Sequence, residues 1–420
     1  MKIVSLKPEE FQQFAKNHPL KNYYQSVEYG NLMKNFGFNS LYIGFVHNKK
    51  LIGASLILNR PIFMGFKYGY APHGLLINYN DYNFLPETIK KLKSYLFKQS
   101  FLILKIDPLI IKSVRDKYGN IVKQNNELEK LMTIMKKSGF IHCGFNNYME
   151  SVKPRWHAIL NLKNKDASEL FFKLEKPIRN KLRKAVKFGV EIYKDNTNNV
   201  EKIYEFIKNK GNYSLKYYKD FYEKFGDNFE FYFAKLNTEL YVTNSTTLYE
   251  KELENNNNLN NYIQDENSKG KDIRTILNKK MESDRIIDSY KKHLIRATNL
   301  LRDYPDGIII GGAITIKYGN TINLLIDGFT DEYNNLCPNY LIKWRIIEKY
   351  ANSEIDIFDL NAISGNFTDN NKFKGLNEAK LNYNALATEY VGEFNITINK
   401  AIYSLYRNTT NKYIIKDQPK

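Results

Sequence analysis

The stretch "PIRNKLRKAVKFGVEIY" concentrates side chains suited to binding an anion: Arg179, Lys181, Arg183, Lys184 and Lys187. Ile178, Leu182 and Val186 recur at four-residue spacing, the stripe that a helix buries against a core, and the cations then face outward. Gly189 stops the helix and "VEIY" reads as a strand. Contact with phosphate is one reading of Arg179, Arg183 and Lys187; a solvated basic face is the other. Elsewhere the chain has no Gly-x-Ser-x-Gly elbow and no Cys/His pair, and its six histidines show no ligand spacing. No metal and no cofactor is therefore expected. A Gln/Arg-x-x-Gly-x-Gly/Ala loop opening a helix, the cradle an acetyl-CoA pyrophosphate needs, is also missing.

The bulk composition agrees with an anionic partner. Sixty-three Lys/Arg against 45 Asp/Glu leave +18 over 420 residues, a charge suited to RNA, phosphate-bearing substrates or an anionic membrane face. No apolar run of about 18 residues is present to span a bilayer, and "MKIVSLKPEEFQQF" lacks the apolar core of a signal peptide. Two cysteines, Cys143 and Cys337, fit a reducing cytoplasm better than a disulfide framework.

These residues need a scaffold, and the length predicts two or three domains. "PEEFQQFAKNH", "YYQSVEYGNLMKNFGF" and "PETIKKLKSYLFKQS" read as helices. "LYIGFVHNKKLIGASLILNRP" reads as two strands around a turn, and "FLILKIDPLI" as a buried central strand. The second part repeats the theme with "RWHAILNL", "GIIIGGAITIKYGNTINLLIDG", "IDIFDLNAI" and the late strand "EYVGEFNITIN". "FEFYFAKLNTELYVT" reads as a strand hairpin. The mixed order predicts α/β architecture with two successive, similarly built units.

Between them an Asn-rich stretch leads into apolar residues on sevens: Ile273, Ile287, Leu294 and Leu301, joined by Ile276, Tyr290 and Ala297. Lys280 and Ser283 interrupt that seam. Leu248, Leu259 and Tyr262 would supply a shorter partner helix, with the tip at Ser268–Gly270, giving an antiparallel helical arm. The expected divisions are 1–150, then 151–245 with 304–420, and the arm at 246–303, the last strand being free to return to the first unit.

Five segments, in order, resemble the FemABX aminoacyltransferases that build interpeptide bridges in bacterial peptidoglycan. "KPRWHAILNLKNKDASELFFKLEKPIRNKLRKAVKFGVEI" is similar to the family's Pro-Arg-x-x-x-x-x-Leu-Asp-Leu strand and its Arg-x-x-Ile-Arg-Lys-Ala-x-x-x-Gly-Val helix. "YYQSVEYGNLMKNFGF" resembles the Gln-Ser-x-x-Trp-Gly entry helix, and "LILKIDP" the Lys-x-Asp-Pro strand end. "FDLNAISGNF" resembles Tyr-Asp-Phe-Gly-Gly-Ile-Ser-Gly. "KFKGLNEAKLNYNALATEYVGEF" resembles the tail from Phe-Lys to Tyr-Ile-Gly-Glu-Phe-Asp. The chain departs at His73 and Leu75, where the family has Arg and Pro, and at Asn361-Ala362, where it has two glycines.

The resemblance implies two GNAT-like domains with an inserted coiled-coil arm. It also implies attack of an amine on the ester of an aminoacyl-tRNA. Such an ester is already activated, so positioning, removal of the amine proton and stabilisation of the oxyanion suffice. By resemblance, the Lys374 ammonium meets the oxyanion and the Phe373 carbonyl holds the amine. Lys34 and Lys216 fall near precursor-phosphate positions, while Tyr70, His73 and Asp107 are placed at the acceptor cleft. Arg179, Arg183 and Lys187 would then meet the tRNA. The implied partners are aminoacyl-tRNA, lipid II or its UDP-linked muramyl pentapeptide counterpart, the inner membrane surface, and a second copy or related enzyme. A non-catalytic relative that binds RNA or precursor, and a protein N-terminal aminoacyltransferase, stay open as alternatives.

Overall fold

The computed structural model describes residues 1–410 apart from 196, 198, 212, 270 and 271. Its strands form two mixed sheets. The seven-stranded sheet runs, edge to edge, Lys2–Ser5, Asn39–His47, Lys50–Phe63, Phe66–Ala71, Phe101–Ile106, Phe394–Thr397 and Phe140–His142. The nine-stranded sheet runs Val190–Asp195, Phe229–Leu236, Ile308–Tyr318, Thr321–Phe329, Ile357–Ala362, Trp156–Asn161, Leu386–Tyr390, Ile111–Arg115 and Ile121–Gln124.

Local pattern explains most of these elements. Phe101–Ile106 is buried at all six positions, as a strand lying inside a sheet with covered faces must be. Helix Leu85–Lys98 buries Leu85, Ile89, Leu92 and Leu96, one face at three- and four-residue steps. Helix Lys176–Lys187 buries Ile178 and Leu182 as expected, but its third buried residue is Ala185, and Val186 is 49% exposed. The helix packs against Pro338–Tyr350, with Ala185 in the shared core and Val186 outward.

The sheets trade strands. Phe394–Thr397 fills the slot between Phe101–Ile106 and Phe140–His142 in the first sheet. Ile111–Arg115 and Ile121–Gln124 extend the second through pairing with Leu386–Tyr390. "EYVGEFNITIN" is thus two strands in two sheets, separated at Gly392 with φ +85°. A shared core joins the lobes: Phe11, Tyr29 and Leu32 pack in one cluster with Ile203, Tyr217, Phe221 and Ile314.

The structure differs from expectation in the arm and in the strand that precedes it. "FEFYFAKLNTELYVT" holds one strand, Phe229–Leu236, and Asn237 then caps the helix Thr238–Ser268 by accepting from the Leu240 N–H. The arm therefore starts inside the body, where Tyr241, Ala297 and Leu300 join the core beneath the second sheet. It returns along Arg274–Asp303. Ser283 does not break the seam. It is buried, accepting from Asn256 Nδ2 and donating to Glu252 Oε1, a polar layer between the two helices. Tyr262, expected in the seam, is half exposed.

Candidate active site

The buried strand Phe101–Ile106 delivers Asp107 to a cleft between the two sheets. Its carboxylate accepts from Tyr70 Oη at 2.7 Å and from the His73 N–H at 2.6 Å. Burial pushes the Asp107 carboxyl up to about 7, against the pull of those two donors. Burial and the nearby His157 push the His73 imidazole down to about 3. His73 is therefore neutral near pH 7, and its 3.6 Å approach to Asp107 Oδ2 is a polar contact rather than an ion pair. Tyr70 stands behind Asp107, packed with Ile103 and Val152.

Facing this group, neighbouring strands of the second sheet supply His157 and Asp359. His157 Nδ1 lies 2.8 Å from Asp359 Oδ2 and 3.1 Å from Oδ1. Burial raises the Asp359 carboxyl, but His157 and the Asn361 N–H outweigh it and hold the group below the usual carboxylate range. A bulge between Asp359 and Ala362 lets this strand end turn. Asn361 takes φ +69° there, a conformation Asn tolerates, and its Nδ2 donates to the Leu324 and Leu325 carbonyls. The side chain standing in place of a glycine thus anchors the turn. His73, His157, Asp359 and Asn361 line one small cavity with Tyr24, Lys153 and Tyr390.

That cavity shares Tyr24, Lys153 and Asn361 with a larger cleft, walled by Tyr213, Tyr217 and Tyr218 and carrying four lysines: Lys153, Lys210, Lys343 and Lys380. Lys343 donates to Asp327 at 2.5 Å. Lys380, 7% exposed, donates to the Ala362 carbonyl at 2.8 Å. Burial lowers its ammonium to about 8, with Asp327 pulling the other way.

The structure brings together Tyr70, His73 and Asp107, and places other expected residues elsewhere. Lys374 is half exposed, pairs with Asp369 at 2.8 Å, and lines a separate surface pocket beside Lys117 and Asn366. The Phe373 carbonyl accepts the Asn377 N–H in the first turn of helix Lys374–Leu381. Lys34 and Lys216 are exposed, bonded to Asn31 and Asp220, on helices that pack together. Arg179 and Arg183 have no ion-pair partner among the described residues. Lys187 reaches Tyr290 Oη at 3.0 Å on the arm.

Sequence reasoning missed Lys380, His157 and Asp359. The first was within reach: Asn377, Lys380 and Leu381 fall on one helical face, which buries the lysine.

Two mixed α/β sheets define the architectural class. The fold is similar to that of FemX, whose crystal structure superposes with a TM-score of 0.72 at 18% identity, covering 96% of this chain and 99% of that one. The FemAB family model matches residues 6–411, and the chain belongs to the FemAB family. Among relatives, the aminoacyltransferase FemB of Staphylococcus epidermidis is 27% identical over 98% of both chains. The aminoacyltransferase FemA of Staphylococcus aureus is 25% identical over 97% of both.

Proposed function

We propose that this aminoacyltransferase moves an amino acid of the glycine, alanine or serine class from aminoacyl-tRNA to the stem-peptide amine of lipid II, in interpeptide-bridge synthesis. The observation that carries the reading is the cleft with Lys380 buried at its wall. Four lysines suit an acceptor rich in phosphate and carboxylate, and the tyrosine rings suit its amide backbone and sugars. In the proposed reaction the Lys380 ammonium meets the oxyanion as the amine adds to the ester carbonyl. A desolvated cation there is worth far more than one in water. This reading moves the electrophilic role from Lys374 to Lys380. The basic face of Lys176–Lys187 receives the tRNA backbone, and the enzyme works at the inner membrane surface, where lipid II presents its head group.

The test is incubation with lipid II and a mixture of charged tRNAs, followed by mass measurement of the acceptor. A mass gain of one or more aminoacyl residues supports the reading. An unchanged mass, with lipid II still bound, supports a non-catalytic precursor-binding relative instead.

A further inference from the structure

We infer that His157, oriented by Asp359, is the general base that takes the proton from the attacking amine. The inference rests on the aminoacyl-transfer reading above and adds a residue to it. The geometry carries it in three ways. First, Asp359 holds Nδ1, so the tautomer that satisfies the pair carries its hydrogen on Nδ1 and leaves the Nε2 lone pair free. Second, Nε2 is buried and has no hydrogen-bond partner among the described residues. A buried polar atom left so is costly unless something occupies the space beside it. Third, His157 and Asp359 both line the small cavity, whose wall shares Tyr24, Lys153 and Asn361 with the lysine-lined cleft. An imidazole oriented by an ionised carboxylate at a cavity wall, with its second nitrogen unpartnered, is suited to take a proton once substrate is bound.

Charged and titratable groups face the pair from every side. Asp359 and Tyr390 come from neighbouring strands, His73 and Asp107 from the first sheet, and Lys153 from the segment before Trp156–Asn161. Lys380 acts on Asp359 from its helix. His73 is the weaker base: burial and the nearby His157 push its imidazole down to about 3, so it takes up a proton poorly near neutral pH.

The acceptor ammonium gives one proton to Nε2, which passes it to solvent, and the free amine adds to the ester carbonyl carbon. Nε2 then takes the second proton from the nitrogen of the tetrahedral adduct. As the C–O bond to the ribose breaks, the departing oxygen receives that proton. One amide bond forms, one ester bond is cleaved, and one proton is released.

The experiment measures transfer by the full-length protein to lipid II across pH, for wild type, His157→Gln and His157→Ala. Loss of a general base costs typically ~10²–10⁴-fold in turnover. The expected result is a loss of that size in His157→Gln, with KM for lipid II within about threefold of wild type. Added imidazole should restore part of the turnover of His157→Ala. A merely structural histidine would lower the melting temperature and give no imidazole response. His157→Gln turnover within threefold of wild type, or a His157→Ala enzyme that imidazole does not rescue, overturns the inference while the transferase reading stands. A wild type that transfers nothing overturns both.

Discussion

Lys105 Nζ donates to Glu393 Oε2 at 2.8 Å, closing a buried ion pair between residues 288 positions apart. Glu393 Oε1 also accepts the Val152 N–H, so a single carboxylate ties the central strand, the crossover into the second lobe and the tail. Removing one partner of such a pair leaves a buried charge uncompensated, at about 3–5 kcal/mol. Glu393→Gln should therefore lower the stability measured by urea unfolding by about that much. A loss under about 1 kcal/mol would show that the pair is not holding the tail.

If the Lys380 ammonium meets the oxyanion as proposed, the reaction has an alkaline limit. Burial lowers that ammonium to about 8, so turnover should fall as pH rises through that value. Lys380→Met should turn over roughly a hundredfold more slowly, the usual cost of one such donor, and should lose the alkaline limb. Lys374→Ala should lose far less. The reverse order of the two variants would return the electrophilic role to Lys374.

The cationic face of Lys176–Lys187 should be read through salt. If Arg179, Arg183 and Lys187 each neutralise a phosphate, their joint replacement by Ala should raise KM for aminoacyl-tRNA and flatten its salt dependence. About one unit of slope per contact is the upper figure for duplex nucleic acid. Turnover at saturation should barely change, because such contacts act equally in ground and transition states. A rise confined to the KM for lipid II would place the precursor, not the tRNA, on this helix.

The arm can be shortened but not removed. Replacing residues 250–288 with a tight turn should leave the melting temperature of the body within a few degrees, since this stretch pairs with itself. Removing 246–303 takes Ala297 and Leu300 out of the core under the second sheet. Loss of a buried leucine side chain alone costs ~2–5 kcal/mol, and the body should aggregate. Equal behaviour of the two deletions would contradict the packing described for the arm's base.

Local periodicity made the scaffold legible. Ile178 and Leu182 announced a buried helix face and "FLILKI" a buried strand, because each signal is complete within a few residues. The strand exchange was not legible: "EYVGEFNITIN" is one apolar run, and only the partners far along the chain decide that it feeds two sheets. The site divides in the same way. Asp107 and His73 sit at a strand end and a turn, where chain direction alone brings them to an edge. His157 and Asp359 are 202 residues apart and lie in strands with no local pattern to mark a polar pair. Lys374 drew attention as part of a dipeptide, while Lys380, one and a half turns onward, sits on the helix face that buries its side chain.

The strand Phe394–Thr397 also sets a schedule for synthesis. Until residues 394–397 have left the ribosome, Phe101–Ile106 and Phe140–His142 have no neighbour between them, and each presents an open edge of unpaired amides and carbonyls. Such edges invite pairing with other chains. The first lobe cannot fold to completion as it emerges. Its closing piece is made after the strands of the second sheet, and the two lobes reach the native state together or not at all. A stop codon shortly before residue 394 would thus damage the part of the protein made first as badly as the part made last.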